Sequence, residues 1–310
     1  MDKAPLYTDV ADGPPNGSAY WVKARDNVKL RVGIWPKGTK GTVLLFPGRT
    51  EYIEKYGRTA AELAERGYAM ATIDWRGQGL SDRLAEPAML GHVEAFKDYQ
   101  YDVEALVRAG EVLRLPLPWF LIGHSMGGAI GLRALLNGLP VKAAAFSAPM
   151  WGIKMKPVLR PVAWILGRAT RGRKLAQMFA PGTRRKPYTE VTPFEGNMLT
   201  RDKDAYDYMN RQTKTYPALG LGGPSIHWVY EAMIELKALR RKPRPDLPVI
   251  TWVGDNERIV EVEGVEAIMA KWKGGSSEVA PEAEHELLME RPATRRRFLD
   301  AATALFTKHT

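Results

Sequence analysis

The chain has no cysteine among its 310 residues. That excludes disulfides, a thiolate nucleophile and any Cys-based metal site. No uninterrupted apolar run is long enough to cross a membrane as a helix. The segment from Met1 to Val10 lacks the apolar stretch of a secretory signal. These absences predict a cytoplasmic, soluble protein and leave peripheral membrane contact open. Acidic residues are the minority, with 35 Asp and Glu against 45 Lys and Arg, so the formal net charge is +10. Internal repeats and low-complexity tracts are missing as well.

What is present begins with a hydrophobic content of 45%, enough for a sizeable core. Apolar runs of strand type fall at 28–35, 41–46, 69–73, 119–122, 141–147, 249–254 and near 277–279. Helical patterns fall at 59–66, 96–113, 129–136 and 292–308. Strand and helix alternate, which predicts an α/β fold with a mostly parallel sheet covered on both faces. The rhythm breaks between residues 151 and 241, a basic and mainly helical stretch rich in Trp, Met and Tyr. The expected organisation is a core of residues 1–150 and 242–310 with a helical lid inserted at 151–241. Trp164, Leu166, Met178, Phe179, Tyr206, Tyr208 and Met209 either line an apolar cavity there or form a small core of their own.

The positive charge is uneven. Lys154, Lys156, Arg160, Arg168, Arg171, Arg173, Lys174, Arg184, Arg185 and Lys186 lie close together, and Arg240, Arg241, Lys242 and Arg244 form a second group. A solvated face is the plain reading. Attraction to anionic headgroups, at ~1 kcal/mol per basic residue near the surface, is the sharper one. No nucleic-acid-binding motif accompanies the charge, so nucleic acid is not an expected partner.

The segment Gly123-His124-Ser125-Met126-Gly127-Gly128 carries the chemistry. An apolar strand precedes it and a helical pattern follows, the setting of a G-x-S-x-G nucleophile elbow. Such a turn strains the serine backbone and projects its hydroxyl above the sheet. The glycines permit close approach of strand and helix. A glycine-rich turn with an incidental serine is the alternative, and the strand–turn–helix context argues against it.

A serine nucleophile needs a base, and the base needs an orienting carboxylate. Of the five histidines, His124 lies within the elbow, pointing away from the hydroxyl, and His309 lies in the tail. His92 and His227 read as structural or substrate-facing. His285 follows the last strand and precedes the terminal helix, where the base belongs in the order nucleophile, acid, base. The acid should follow the strand ending at Gly254. Asp255 and Glu257 both qualify, and either could instead pair with Arg258 or cap a helix.

Several further motifs occur in order. Phe46-Pro47-Gly48-Arg49-Thr50-Glu51-Tyr52 follows the second strand, and Asp74-Trp75-Arg76-Gly77-Gln78-Gly79-Leu80-Ser81 follows the third. His92-Val93-Glu94-Ala95-Phe96 opens the next helix, and Ala283-Glu284-His285-Glu286-Leu287-Leu288-Met289-Glu290 surrounds the candidate base. Together with the elbow, these make the chain resemble an α/β-hydrolase fold serine hydrolase of the monoacylglycerol lipase and lysophospholipase group. The likeness covers all but the middle of the insertion. Laid on that group's G-x-x-D-x-x-V pattern, the acid is Glu257 rather than Asp255. Pro47 stands where the group usually has histidine. The resemblance implies that the backbone N–H groups of Arg49 and Met126 form the oxyanion hole. The Arg49 side chain, at a position often occupied by something small, contacts either an anionic headgroup or only solvent.

The expected reaction is carboxylic ester hydrolysis through an acyl-enzyme, with Ser125, His285 and Glu257 as triad and no metal or organic cofactor. By resemblance the substrate is a monoacylglycerol or lysophospholipid. An esterase or thioesterase for small acyl groups and a non-catalytic ligand-binding protein are the alternatives. Epoxide hydrolases and dehalogenases of this fold use an aspartate nucleophile, which the elbow serine excludes.

Overall fold

A computed structural model describes residues 1–156, 158–170, 172 and 174–310. Alternation along each strand builds the two layers of the core. In β4 (Thr42–Phe46), Val43 and Leu45 face one side of the sheet, and Leu44 and Phe46 face the other. All are fully buried, because the strand is covered on both faces.

Among the described residues the sheet has nine strands. β1 (Asp2–Ala4), β2 (Ser18–Lys23) and β3 (Lys29–Trp35) form an antiparallel edge that pairs onto β5 (Ala69–Asp74). From β5 onward the sheet is parallel, in the order β5, β4, β6 (Trp119–His124), β7 (Ala144–Ser147), β8 (Val249–Gly254), β9 (Ser276–Ala280). The helices α1 (Gly57–Glu65) and α8 (Pro292–Thr307) cover one face, burying Leu63, Phe298 and Phe306. The other face is covered by α2 (Tyr99–Val112), α3 (Met126–Leu136) and α7 (Val262–Met269), through Leu106, Leu132 and Ile268.

The chain runs from β4 outward to β5 and then crosses back to β6 on the other side of β4. Strand order therefore reverses at β4. In open α/β sheets the crevice beyond the strand ends at such a switch point is where ligands bind. The loop 47–50 leaves β4 there, and Ser125 leaves β6 beside it.

The α/β architecture with a mostly parallel sheet is the one read from the sequence. Strand β7 begins at Ala144 rather than at 141, because its neighbour β8 starts only at Val249, after Pro248. The edge strands β1 and β2 carry no clear period in the sequence; α7 does, with Val262, Val265, Ile268 and Met269 at helical spacing, and it adds to the helices expected from the sequence. The described residues of 151–241 run between β7 and β8, add no strand to the sheet, and hold α4 (Leu159–Thr170), α5 (Lys203–Thr215) and α6 (Ile226–Arg241). Arg171 and Arg173 of the basic group lie outside the described residues.

The apolar residues of this stretch divide between the two expected roles. Tyr206, Tyr208 and Met209 are buried in the sheet-facing core, and the Tyr208 hydroxyl donates to the carbonyls of Ala11 and Glu54. Leu166 lines a cavity, and Met178 is exposed.

Candidate active site

Ser125 stands between β6 and α3 with φ 49° and ψ −118°. A non-glycine residue held at positive φ stores roughly 1–3 kcal/mol of strain. The surrounding contacts sustain it: its N–H donates to the Ser147 carbonyl, and its carbonyl accepts from Gly128 and Met150. A Cβ on Gly127 would collide with the carbonyl oxygen of Phe46, so only glycine lets α3 start this close to β4.

The Ser125 hydroxyl lies 2.9 Å from His285 Nε2, and His285 Nδ1 lies 2.7 Å from Glu257 Oε2. A carboxylate only accepts, so Nδ1 carries the proton and donates to Glu257. Nε2 is then left to accept the serine proton. Glu257 Oε1 accepts the N–H groups of Ile259 and Val260, at 2.6 and 3.0 Å. Burial pushes the Glu257 carboxyl up, but the adjacent His285 and these hydrogen bonds outweigh it and hold its pKa below the ordinary value.

Asp255, the other candidate acid, does not reach His285. Its two oxygens accept the N–H groups of Glu282 and Ala283, at 2.9 and 3.0 Å, clamping the loop that carries the histidine. Arg258 pairs with Glu284 at 3.0 Å, not with Asp255 or Glu257.

On the loop after β4, the N–H of Gly48 is taken by Glu51, and that of Thr50 by the Gln78 side chain at 2.5 Å. Between them, the N–H of Arg49 has no acceptor among the described residues. The N–H of Met126, at the first position of α3, has no intrahelical acceptor either. Both residues adjoin Ser125: Arg49 lines the same cavity, and Met126 follows it in the chain.

Behind the site lies a buried polar cluster whose role the sequence did not suggest. Lys55 Nζ donates to Glu51 at 2.7 Å and to Glu286 at 2.8 Å, joining the loop after β4 to the loop of His285. His124 donates from Nδ1 to the Ser147 carbonyl at 3.0 Å and turns Nε2 toward Glu51. Burial pushes the His124 pKa down to about 4, despite the attraction of Glu51. Glu51, His124 and Glu286 lie close enough to share a cation, but the Lys55 ammonium already occupies that place. The insertion reaches the same loop: the N–H groups of His285 and Glu286 donate to the carbonyls of Met198 and Leu199.

His92 and His227 prove structural. His92 is bonded to Ser225 and Glu94, and His227 Nε2 donates to the Glu94 carbonyl, tying the 92–95 loop to the insertion. The D-x-R-G-x-G-x-S motif is also a brace. Asp74 accepts from Arg31 Nε at 2.7 Å, Arg76 pairs with Asp102 at 2.8 Å, and Gln78 holds the Thr50 N–H.

A cavity of about 360 Å³ opens beside Ser125, lined by Arg49, Met150, Leu166, Trp228, Val229 and Val260 among others. Its walls are overwhelmingly apolar. A neighbouring cavity of about 430 Å³, near Trp164 and Arg240, does not include Ser125.

The family described as "Serine aminopeptidase, S33" matches residues 37–292. The chain belongs to this family. Lysophospholipase L2 of Escherichia coli strain K12 is 33% identical over 279 residues, covering 86% of this chain and 80% of that protein. The probable lysophospholipase L2 of Haemophilus influenzae is 28% identical, covering 90% of this chain and 88% of that protein. Among solved structures, a soluble variant of monoglyceride lipase from Saccharomyces cerevisiae superposes with a TM-score of 0.72 at 21% identity, covering 93% and 94% of the two chains. The expected fold and membership of the monoacylglycerol lipase and lysophospholipase group are borne out. The protein is a serine hydrolase of the lipase and esterase type.

Proposed function

We propose that this family member hydrolyses carboxylic esters of monoacyl lipids through an acyl-enzyme on Ser125. The observation that carries the reading is the Glu257–His285–Ser125 hydrogen-bond chain at the wall of an apolar cavity. His285 removes the hydroxyl proton as Ser125 Oγ attacks the ester carbonyl. The imidazolium formed is stabilised by Glu257. The N–H groups of Arg49 and Met126 receive the oxyanion, each contributing about 3–4 kcal/mol to the barrier reduction. His285 then protonates the departing alcohol. Water, deprotonated by the same imidazole, cleaves the acyl-enzyme and restores Ser125.

The apolar cavity wall suits an acyl chain. No carboxylate is among the described lining residues to hold a peptide's ammonium, so an ester is favoured over the peptide in the family's description. Residues 151–241 act as the lid over this cavity. Val162 lines the cavity and is 55% exposed; Val158, Ile165, Leu175 and Met178 are also exposed nearby. With the basic residues around them, they form an apolar, cationic surface at which an anionic membrane delivers substrate.

A fluorophosphonate is expected to label the wild type and not Ser125→Ala; labelling of the alanine variant overturns the nucleophile assignment. Hydrolysis of p-nitrophenyl esters of graded length, beside monoacylglycerol and lysophospholipid, tests the substrate. Highest turnover on the shortest chains, with none on either lipid, overturns the lipid reading.

A further inference from the structure

We propose that the Arg49 guanidinium binds the substrate's phosphate, making the protein selective for monoacyl phospholipids over monoacylglycerols. The inference rests on the lipid-ester reading and adds a specificity-determining residue to it.

Arg49 is the only charged side chain among the described residues lining the Ser125 cavity. It has no carboxylate partner among the described residues. Its Nη1 donates to the Gly222 carbonyl at 2.9 Å, and its guanidinium carbon lies 5.7 Å from the centre of the Trp228 ring. The slot it occupies is narrow, since a Cβ on Gly91 would come within 3.0 Å of Nη1.

Four other arginines of this chain are satisfied differently. Arg31 pairs with Glu54 and Asp74, Arg76 with Asp26 and Asp102, and Arg133 with Glu235. Arg83, which has no carboxylate, spends its donors on the carbonyls of Gly77, Gly79, Ala218 and Gly220. Among the described residues Arg49 spends one donor, on Gly222. Burial lowers its pKa to about 10, which still leaves it protonated at neutral pH.

Arg49 is half-buried, so an anion entering the cavity meets a guanidinium partly withdrawn from water and with no carboxylate beside it among the described residues. The guanidinium fork matches two phosphate oxygens. Position selects the phosphate of the substrate itself. The N–H of this same residue is one proposed oxyanion donor, so the guanidinium lies within one side chain's length of the scissile carbonyl. In a lysophospholipid, a glycerol separates ester from phosphate, a comparable span. A monoacylglycerol carries a hydroxyl there and leaves the charge unpaired.

The test compares kcat/KM on lysophosphatidylethanolamine, lysophosphatidylglycerol and monoacylglycerol of one acyl chain, all in the same neutral-detergent micelles. Arg49→Met is expected to lower the ratio of each phospholipid to monoacylglycerol by about 10- to 100-fold, the range for a lost charged hydrogen bond. Arg49→Lys keeps the charge without the fork and should fall between. A loss confined to lysophosphatidylglycerol means that net charge is sensed rather than phosphate, and overturns the proposal. Equal loss on all three substrates also overturns it, making Arg49 a structural tie to Gly222. If Arg49→Met fails to fold, the Arg49→Lys ratio decides: an unchanged ratio overturns the proposal. Wild-type inactivity on all three lipids instead defeats the lipid-ester reading.

Discussion

Glu257 has one methylene more than aspartate, and the backbone accommodates it. Its Oε1 is fixed by two N–H groups, which leaves Oε2 aimed at His285. Asp255 lies two residues away yet serves a different purpose, holding the loop N–H groups of Glu282 and Ala283. Substitution should separate the two. Glu257→Gln should lower kcat by about ten-thousand-fold, because the imidazole loses its partner carboxylate while Ser125 stays in place. Asp255→Asn should cost ~1–2 kcal/mol of stability and leave most of the turnover, because it weakens a clamp. Steady-state kinetics with urea unfolding on both variants checks this; a larger kcat loss in Asp255→Asn would reverse the roles.

At the scale of elements, two loops from distant strands meet through buried charge. The loop after β4 supplies Glu51 and Lys55, the loop after β9 supplies Glu286, and β6 supplies His124. Lys55 is the joint, and the cluster has a pH signature. The His124 pKa falls from 6.5 to about 4 on folding, so the unfolded chain binds more protons between those values. Its contribution is therefore full above pH 6.5 and is lost as pH falls toward 4. Between pH 7 and pH 5 that share is about 2 kcal/mol. Glu51 is held down to about 2, so it stays charged through this window. Glu286, pushed up by burial, acts with the opposite sign. Urea unfolding at both pH values should show that His124→Asn loses less stability on acidification than the wild type. An equal or steeper loss would remove His124 from the account.

The whole molecule combines a net positive charge with exposed apolar side chains on the described residues between β7 and β8. No helix of the described residues is long and apolar enough to cross a membrane. The proposed membrane docking uses the exposed side chains of α4 and its neighbours, with the exposed Arg168, Arg184 and Arg185 of the same stretch of chain drawn to anionic headgroups. Cosedimentation should show stronger binding to phosphatidylglycerol-containing vesicles than to phosphatidylcholine vesicles. That preference should weaken at 0.5 M salt, because exposed charges are screened within a few ångströms there. Equal binding to both vesicle types at low salt would count against electrostatic docking.

The parallel core, the elbow and the loop of His285 were legible because each is local: a buried strand, a glycine turn and a helix start occupy neighbouring positions. Strand–helix alternation also implied the sheet and the place where the rhythm breaks. Strands β1 and β2 were not legible, since β1 is held by β2 and β2 by β3 rather than by any strong period of their own. Between Asp255 and Glu257 the motif pattern favoured one, but composition alone could not. Which carboxylate meets His285 depends on how the turn after β8 faces a loop 28 residues away. Tertiary structure alone decided that Lys55 would be buried between two glutamates and that Arg49 would face the cavity without one. Sequence determines where a residue stands along the chain; only folding determines which distant charge it meets, or that it meets none.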